Sequence, residues 1–424
     1  MKKHWIFALF LTLLLLSSCA LSRPDTIQPQ SSGASDSDSD TDAAQQIPED
    51  AAQPLYRLHA ADQRIPSLAE HFDGVMKIGA AVNAWQLSEN ADIYQVLTKQ
   101  YNAFVLENEM KPERVNPAPG VYRLDAGDTF AQFGEETGAV LRGHTLVWHS
   151  QVPAWWFEGS GEDGRATQEE LLTRMEEYIT TLVTHYRGKI DTWDVVNEAF
   201  SDNGSGLRGA DENSLWTSII GDLDGDGSET DYIEQAFYFA RAADPEAQLI
   251  LNDYNLEGDP VKLEAFYQTV KAMLEKGVPI DGVGIQGHIN LGWPSVESFE
   301  AAIEKLASLK EYNPDFVVQI TELDVSIFEW GDESLEKEMD LILQTQFAAR
   351  YADLFDMFAR QAEKGNLDMV LTWGVYDGGS WLNNYPVEGR TNAPLLFDRD
   401  MKAKPAFWAI IDREVLPAVF EEWR

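Results

Sequence analysis

The sequence predicts an α/β protein folded as a single (β/α)8 barrel, the TIM barrel, and three observations carry that expectation. Eight short apolar runs rich in β-branched residues alternate with longer stretches whose apolar residues recur every three or four positions. Polar and aromatic residues gather at the C-terminal ends of those runs, where barrel enzymes hold their chemistry. After the N-terminal segment no break in composition interrupts the pattern, which argues for one domain. Eight strand-helix units favour a closed barrel; an open doubly wound sheet, which more often stops at about five or six strands, is the alternative.

The chain begins with an expected export signal. Lys2 and Lys3 supply positive charge, and the apolar stretch 5–16 is too short to span a bilayer. Leu16, Ser17, Ser18 and Cys19 resemble a bacterial lipobox, in which small residues before the cysteine admit the processing enzymes and its sulfur takes a diacylglyceryl group. Two or more acyl chains would anchor the protein stably. The expected organisation is a lipoprotein signal peptide over 1–18, a lipid anchor and tether over 19–53, and the barrel over 54–424. The tether contains SSGASDSDSDTDAAQQ (31–46), which has little apolar surface to bury and repels itself into an extended chain. Ala20 after the cysteine, in place of the Asp that commonly signals inner-membrane retention, points to the cell surface or outer membrane of a bacterium. Cys19 is the only cysteine, so neither an internal disulfide nor a cysteine metal cluster can form.

Charge narrows the partners. With 32 Lys+Arg against 71 Asp+Glu, the formal net charge of −39 disfavours nucleic acid and anionic membrane surfaces, both of which reward clustered cations. A neutral or cationic ligand fits better, and contact with a membrane is expected through the lipid anchor alone.

The eight runs are MKIGAAV (76–82), AFVLENEM (103–110), AVLRGHTLVW (139–148), IDTWDVVNEA (190–199), AQLILNDYN (247–255), GVGIQGHI (282–289), DFVVQITELDV (315–325) and MVLTWGVYD (369–377). Helical spacing lies between them, for instance over 171–186, 261–274, 299–309 and 341–362. No GxGxxG or GKS fingerprint follows any run, so nucleotide binding has no support. The run ends carry Glu107, Asn108 and Lys111; His144, Trp148, His149 and Gln151; Asn197 and Glu198; Asn252, Asp253 and Asn255; Gln286 and His288; Glu322 and Asp324; and Trp373, Asp377 and Trp381. So many polar groups cannot be buried without partners, and a barrel brings all eight ends to one face.

Two carboxylates dominate that face: Glu198 at the end of the fourth run and Glu322 near the end of the seventh. Each could merely cap a turn. Together they match glycosidic hydrolysis, which needs one carboxylic acid to protonate the leaving oxygen and one carboxylate to attack or stabilise the oxocarbenium-like carbon.

The strings GAAVN (79–83), ENEMKPE (107–113), RGHTLVWHSQVPAW (142–155), WDVVNE (193–198), LNDYN (251–255), GIQGH (284–288), ITELDV (320–325) and TWGVYDGGSW (372–381) resemble glycoside hydrolase family 10, the retaining endo-β-1,4-xylanases. The resemblance runs in order from about residue 65 to KPAFW (404–408), with one motif per strand. It implies Glu198 as general acid/base and Glu322 as nucleophile. By the same resemblance Asn197 contacts the sugar 2-OH, Asp324 orients His288, and His288 donates to Glu322. It further implies that Glu107, Asn108, Lys111, His144, Trp148, Gln151, Asn255, Gln286, Trp373 and Trp381 hold xylan or xylo-oligosaccharide. Lys and carboxylates suit sugar hydroxyls, and Trp faces stack on pyranose rings. In the family a bulky residue at the Trp381 position crowds the place of a hexose C6 group, a steric preference that leaks. No cofactor is required, and a monomer is expected.

Besides the tether, the sequence departs from the family in two places. At 221–231, GDLDGDGSETD lengthens a usually direct connection; Asp222, Asp224 and Asp226 followed by Gly227 reproduce the first half of a calcium loop. The second half fails, because position twelve is Ile233 with Glu234 one place late, leaving a structural Ca2+ site or a solvated acidic turn as readings. The second departure is the acidic loop 326–337, IFEWGDESLEK after Ser326. Two other functions stay open: cleavage of a different β-1,4-glycan such as cellulose, and non-catalytic glycan binding at a surface. The presence of both glutamates counts against the latter.

Overall fold

In a computed structural model the described residues are 58–204 and 206–423. The expected signal peptide, Cys19 and the Ser/Asp tether lie outside them. Among the described residues no helix is long and apolar enough to cross a membrane.

The barrel strands are β1 (Lys77–Val82), β2 (Ala103–Leu106), β3 (Val140–Trp148), β4 (Thr192–Asn197), β5 (Gln248–Asp253), β6 (Gly282–Ile285), β7 (His288–Asn290), β8 (Val317–Ser326) and β9 (Leu367–Thr372). Each pairs in parallel with its neighbours, β9 returns to β1, and β6 joins β8, which closes a ring of eight staves. The sixth expected run is two strands. Gln286 and Gly287 interrupt it, with Gly287 at φ +80°, and β7 then continues beside the C-terminal half of β8. The seventh stave is therefore β8.

The chain makes these elements for local reasons. Strands buried on both sides show unbroken apolar patterns, as in β2, where all four residues are buried. The helix Gln168–His185 starts with a capping box between Thr167 and Glu170, and it buries Leu171, Met175, Tyr178, Ile179 and Leu182 along one stripe. Each such side chain contributes about 1.5–3 kcal/mol on leaving water. Asp259, Ser295 and Asp340 cap the helices Pro260–Lys276, Val296–Ala307 and Leu341–Glu363 with their side chains.

Register turns these elements into a site. Trp148 of β3 lies opposite Asn197 of β4, Asn197 opposite Asn252 of β5, and Asn252 opposite Gly284 of β6. His288 on β7 stands beside Asp324 on β8. Strand ends far apart in sequence thus form one layer at the C-terminal mouth. Lower in the barrel, Arg142 reaches Asp194 and Gln319, while His144 Nδ1 lies 2.9 Å from Asp194 Oδ2. Burial alone would raise the pKa of Asp194, but the Arg142 charge and the His144 contact outweigh it and lower it.

Candidate active site

A cleft of about 790 Å³ opens at the strand ends. Its lining includes Lys111, His144, Trp148, Gln151, Asn197, Glu198, Asn255, Gln286, His288, Glu322, Trp373 and Trp381, all singled out from the sequence. Glu107, Asn108 and Asp324 are not part of that lining. Asn108 Oδ1 accepts from Lys111 Nζ at 2.9 Å, and Glu107 Oε2 accepts from Asn83 Nδ2 at 3.2 Å.

Glu198 follows the last residue of β4 and takes φ +55°, a left-handed conformation uncommon for a residue with a side chain. The surroundings hold it there: its N–H donates to the Asn252 carbonyl at 2.8 Å, and its carbonyl accepts from Arg208 Nε at 3.2 Å. That twist delivers the carboxylate to two donors, Trp148 Nε1 on Oε2 at 2.8 Å and Gln286 Nε2 on Oε1 at 3.1 Å. Burial raises the pKa of Glu198; the Gln286 and Trp148 hydrogen bonds pull it back, the Asp253 and Glu322 charges add to the rise, and the net shift is upward.

Glu322 is set the other way. It is 4% exposed, and burial again opposes its charge. Here the contact from His288 and the charges of His144 and His288 outweigh burial, so its pKa is lowered. His288 Nε2 lies 3.2 Å from Glu322 Oε2, and its Nδ1 lies 3.1 Å from Asp324 Oδ2. Burial pulls the imidazole down, yet the two carboxylates win and push it up to about 10, which keeps it cationic at neutral pH. Asp324 Oδ2 also accepts from Trp381 Nε1 at 2.8 Å, so one carboxylate positions both His288 and a wall of the cleft.

Two amides join the glutamates. Asn252, 0% exposed, donates Nδ2 to Glu322 Oε1 at 2.8 Å and to Asn197 Oδ1 at 2.9 Å. Gln286 Nε2 reaches Asn197 Oδ1 at 3.3 Å as well as Glu198. With its oxygen held from both sides, Asn197 turns its buried Nδ2 away, and that donor has no hydrogen-bond partner among the described residues. Space for Asn252 comes from Gly284, where a Cβ would stand 2.1 Å from the Asn252 oxygen.

Sequence reasoning named Asn252 and His149 at strand ends but assigned neither a part in the site. His149 Nδ1 sits 3.9 Å from Glu198 Oε2, and burial, with the Arg208 charge, holds its imidazole down at about 4. Asp202, Arg208, Tyr254, Trp293, Trp330 and Tyr385 also line the cleft without having been singled out. Trp330 belongs to the acidic loop 326–337, so that departure reaches the site.

One carboxyl group raised in pKa and one lowered, within one hydrogen-bond network, suit a proton donor and a nucleophile or stabiliser, and the aromatic walls suit a sugar chain. The sequence profile of Glycosyl hydrolase family 10 matches residues 67–413. The chain is 41% identical over 365 residues to Endo-1,4-beta-xylanase C of Paenibacillus barcinonensis, covering 86% of this chain but 33% of that protein. It is 43% identical over 365 residues to a thermostable celloxylanase of Thermoclostridium stercorarium, with 82% of this chain and 87% of that protein covered. A solved structure described as GH10 from Paenibacillus barcinonensis superposes with a TM-score of 0.80 at 42% identity, over 83% of this chain and 99% of that one. The barrel, its paired glutamates and these likenesses agree: the chain belongs to glycosyl hydrolase family 10.

Proposed function

We propose that this protein is a retaining endo-β-1,4-xylanase that cuts xylan by double displacement. The observation that carries the reading is the opposed setting of two glutamates, Glu198 raised and Glu322 lowered, within one hydrogen-bond network. Glu198 gives its proton to the glycosidic oxygen while ionised Glu322 attacks the anomeric carbon; the C–O bond breaks and a glycosyl ester forms. Esterified Glu322 carries no charge, which removes one of the influences that raise Glu198, so Glu198 can accept the proton of an incoming water. Cationic His288, oriented by Asp324, keeps Glu322 ionised before attack. The Asn197 Nδ2 donor bonds the sugar 2-OH, most strongly in the transition state. Glu107, Asn108, Lys111, His144, Trp148, Gln151, Asn255, Gln286, Trp373 and Trp381 hold xylose units, with one chain supplying the whole site as a monomer.

Purified protein should release oligomers from xylan and act far more slowly on carboxymethylcellulose, with β-anomeric product first by proton NMR. Initial α product, or unchanged cleavage by Glu322→Ala, overturns the mechanism. A second reading, cleavage of a β-1,4-glucan, draws on the 43% identical relative called a celloxylanase; comparable rates on the two polymers would favour it. Export and lipid anchoring at Cys19, on the outer face of a bacterial cell, rest on the lipobox residues alone. Labelled palmitate should enter the native protein and be absent from Cys19→Ser.

A further inference from the structure

The turn 221–230 connects the helices Trp216–Ile220 and Asp231–Ala243 on the outside of the barrel. Carboxylates crowd it, and most find partners in the chain. Asp222 accepts from the N–H groups of Gly225 and Gly227 at 2.7 and 2.9 Å, and Asp224 accepts from that of Asp226 at 3.0 Å. Asp226 Oδ2 lies 2.5 Å from the Lys276 ammonium, which also reaches Glu234 at 3.0 Å and stands farther, 3.6 Å, from Asp224 Oδ2. Asp231 differs from these. It is 3% exposed, and its Oδ2 has no hydrogen-bond partner among the described residues.

An orphaned carboxylate oxygen in the protein interior is costly unless it is protonated or meets a cation. Its surroundings favour the cation, because carboxylate oxygens of Asp222, Asp224 and Asp231 all lie within 4.8 Å of one another. Two oxygens that share a calcium ion at about 2.4 Å each can be no more than about 4.8 Å apart. We propose that Asp222, Asp224 and Asp231 bind one Ca2+ ion. The donors are all hard oxygens, and water and backbone carbonyls complete the six to eight ligands that Ca2+ takes. Mg2+, with its shorter bonds of about 2.1 Å and octahedral demand, fits a flexible turn of this span less well. The proposed set differs from the sequence motif, in which Asp226 was the third ligand. Lys276 already neutralises Asp226, and the buried ligand comes from the first turn of the next helix.

The ion ties that helix start to the turn leaving the preceding one. Trp216, from the preceding helix, stacks on Tyr232 at 13° with centroids 6.0 Å apart, and its Nε1 donates to the Trp148 carbonyl at 3.0 Å. Calcium therefore stiffens the support behind a residue that touches Glu198.

The test titrates CaCl2 and MgCl2 separately into the full chain after chelator treatment, by calorimetry with parallel melting scans. One Ca2+ per chain is expected, with Mg2+ at least about tenfold weaker and a Ca2+-dependent rise in Tm. Asp231→Asn should remove both the heat and the rise, while xylan cleavage below the melting range stays within about twofold of the native rate. Asp224→Asn, at an exposed position, gives the same result without disturbing a buried side chain. Absence of calcium heat in the native chain, equal response to Mg2+, or unaltered calcium binding in Asp224→Asn overturns the proposal. Activity on xylan is read separately, so its failure would strike the enzymatic assignment and leave the metal site standing.

Discussion

Asn252→Ala tests whether the buried amide holds the Glu322 charge. The substitution removes a donor to the carboxylate, a donor to Asn197 and the acceptor for Thr321 Oγ1 at 2.7 Å. A hydrogen bond to a charged group contributes about 1.5–3 kcal/mol and a neutral one about 1, so the loss comes to roughly 3–5 kcal/mol. For about 370 ordered residues, at about 2.1 cal/mol/K each, unfolding entropy is near 0.8 kcal/mol/K, and Tm should fall by about 4–6 °C at pH 7. The charged share has its own pH signature. Glu322 is lowered from its ordinary 4.5, so its stabilisation is present above that value and is lost as pH falls through the folded pKa. In the variant this contribution is smaller. The Tm gap between native and variant should therefore be full at pH 7 and shrink by about half in acid, while the acidic limb of kcat/KM moves to higher pH. Scanning calorimetry and a pH-rate profile read both. An equal Tm gap at the two pH values, with an unmoved limb, would refute the idea that Asn252 stabilises the ionised nucleophile.

Three further outcomes follow from the same geometry. Glu198→Gln should cut kcat on xylan by about 10²–10⁴, and a nitrophenyl xyloside, whose leaving group needs no proton, should lose much less in pre-steady-state release. Asn197→Ala should lower kcat/KM by about 100-fold, or about 3 kcal/mol, through loss of the Nδ2 donor, and Tm should fall as well because Asn252 and Gln286 lose their Oδ1 acceptor. Glu257 is 1% exposed with both oxygens unpartnered, and burial pushes it up from 4.5 to about 7. Its raised pKa means that the folded state stays protonated while the unfolded chain ionises, so stability falls between pH 4.5 and 7 by on the order of 3 kcal/mol. Glu257→Gln should flatten that fall in denaturant titrations, and an unchanged slope would assign it to other groups.

The strands were legible because their apolar, β-branched runs are local signals, and the polar ends were legible because they break that pattern. The sixth run looked continuous, for nothing in GVGIQGHI marks Gln286 and Gly287 as an interruption; Gly287 takes its left-handed turn so that β7 can follow β8. In the cleft Glu198 and Glu322 were named as a pair at two strand ends and by the motifs around them, since either alone could have capped a turn. Asn252 was visible only as one more strand-end amide, because its meaning lies in distances to residues 55 and 70 positions away. At the acidic turn, spacing pointed to Asp226, whereas the fold pairs Asp226 with Lys276 from a distant helix and brings Asp231 close to Asp222 and Asp224.

By itself the sequence determined the barrel, the order of its staves and the residue types at its mouth, since strand period, helix period and strand-end polarity are properties of neighbouring residues. Tertiary structure alone decided in which direction each glutamate's acidity is shifted. Glu198 and Glu322 are the same side chain with the same intrinsic acidity, and they part only because closure of the ring buries both and sets cationic His288 against one of them. That difference depends on burial and on charges that the fold brings within a few ångströms, and no local pattern of residues encodes it.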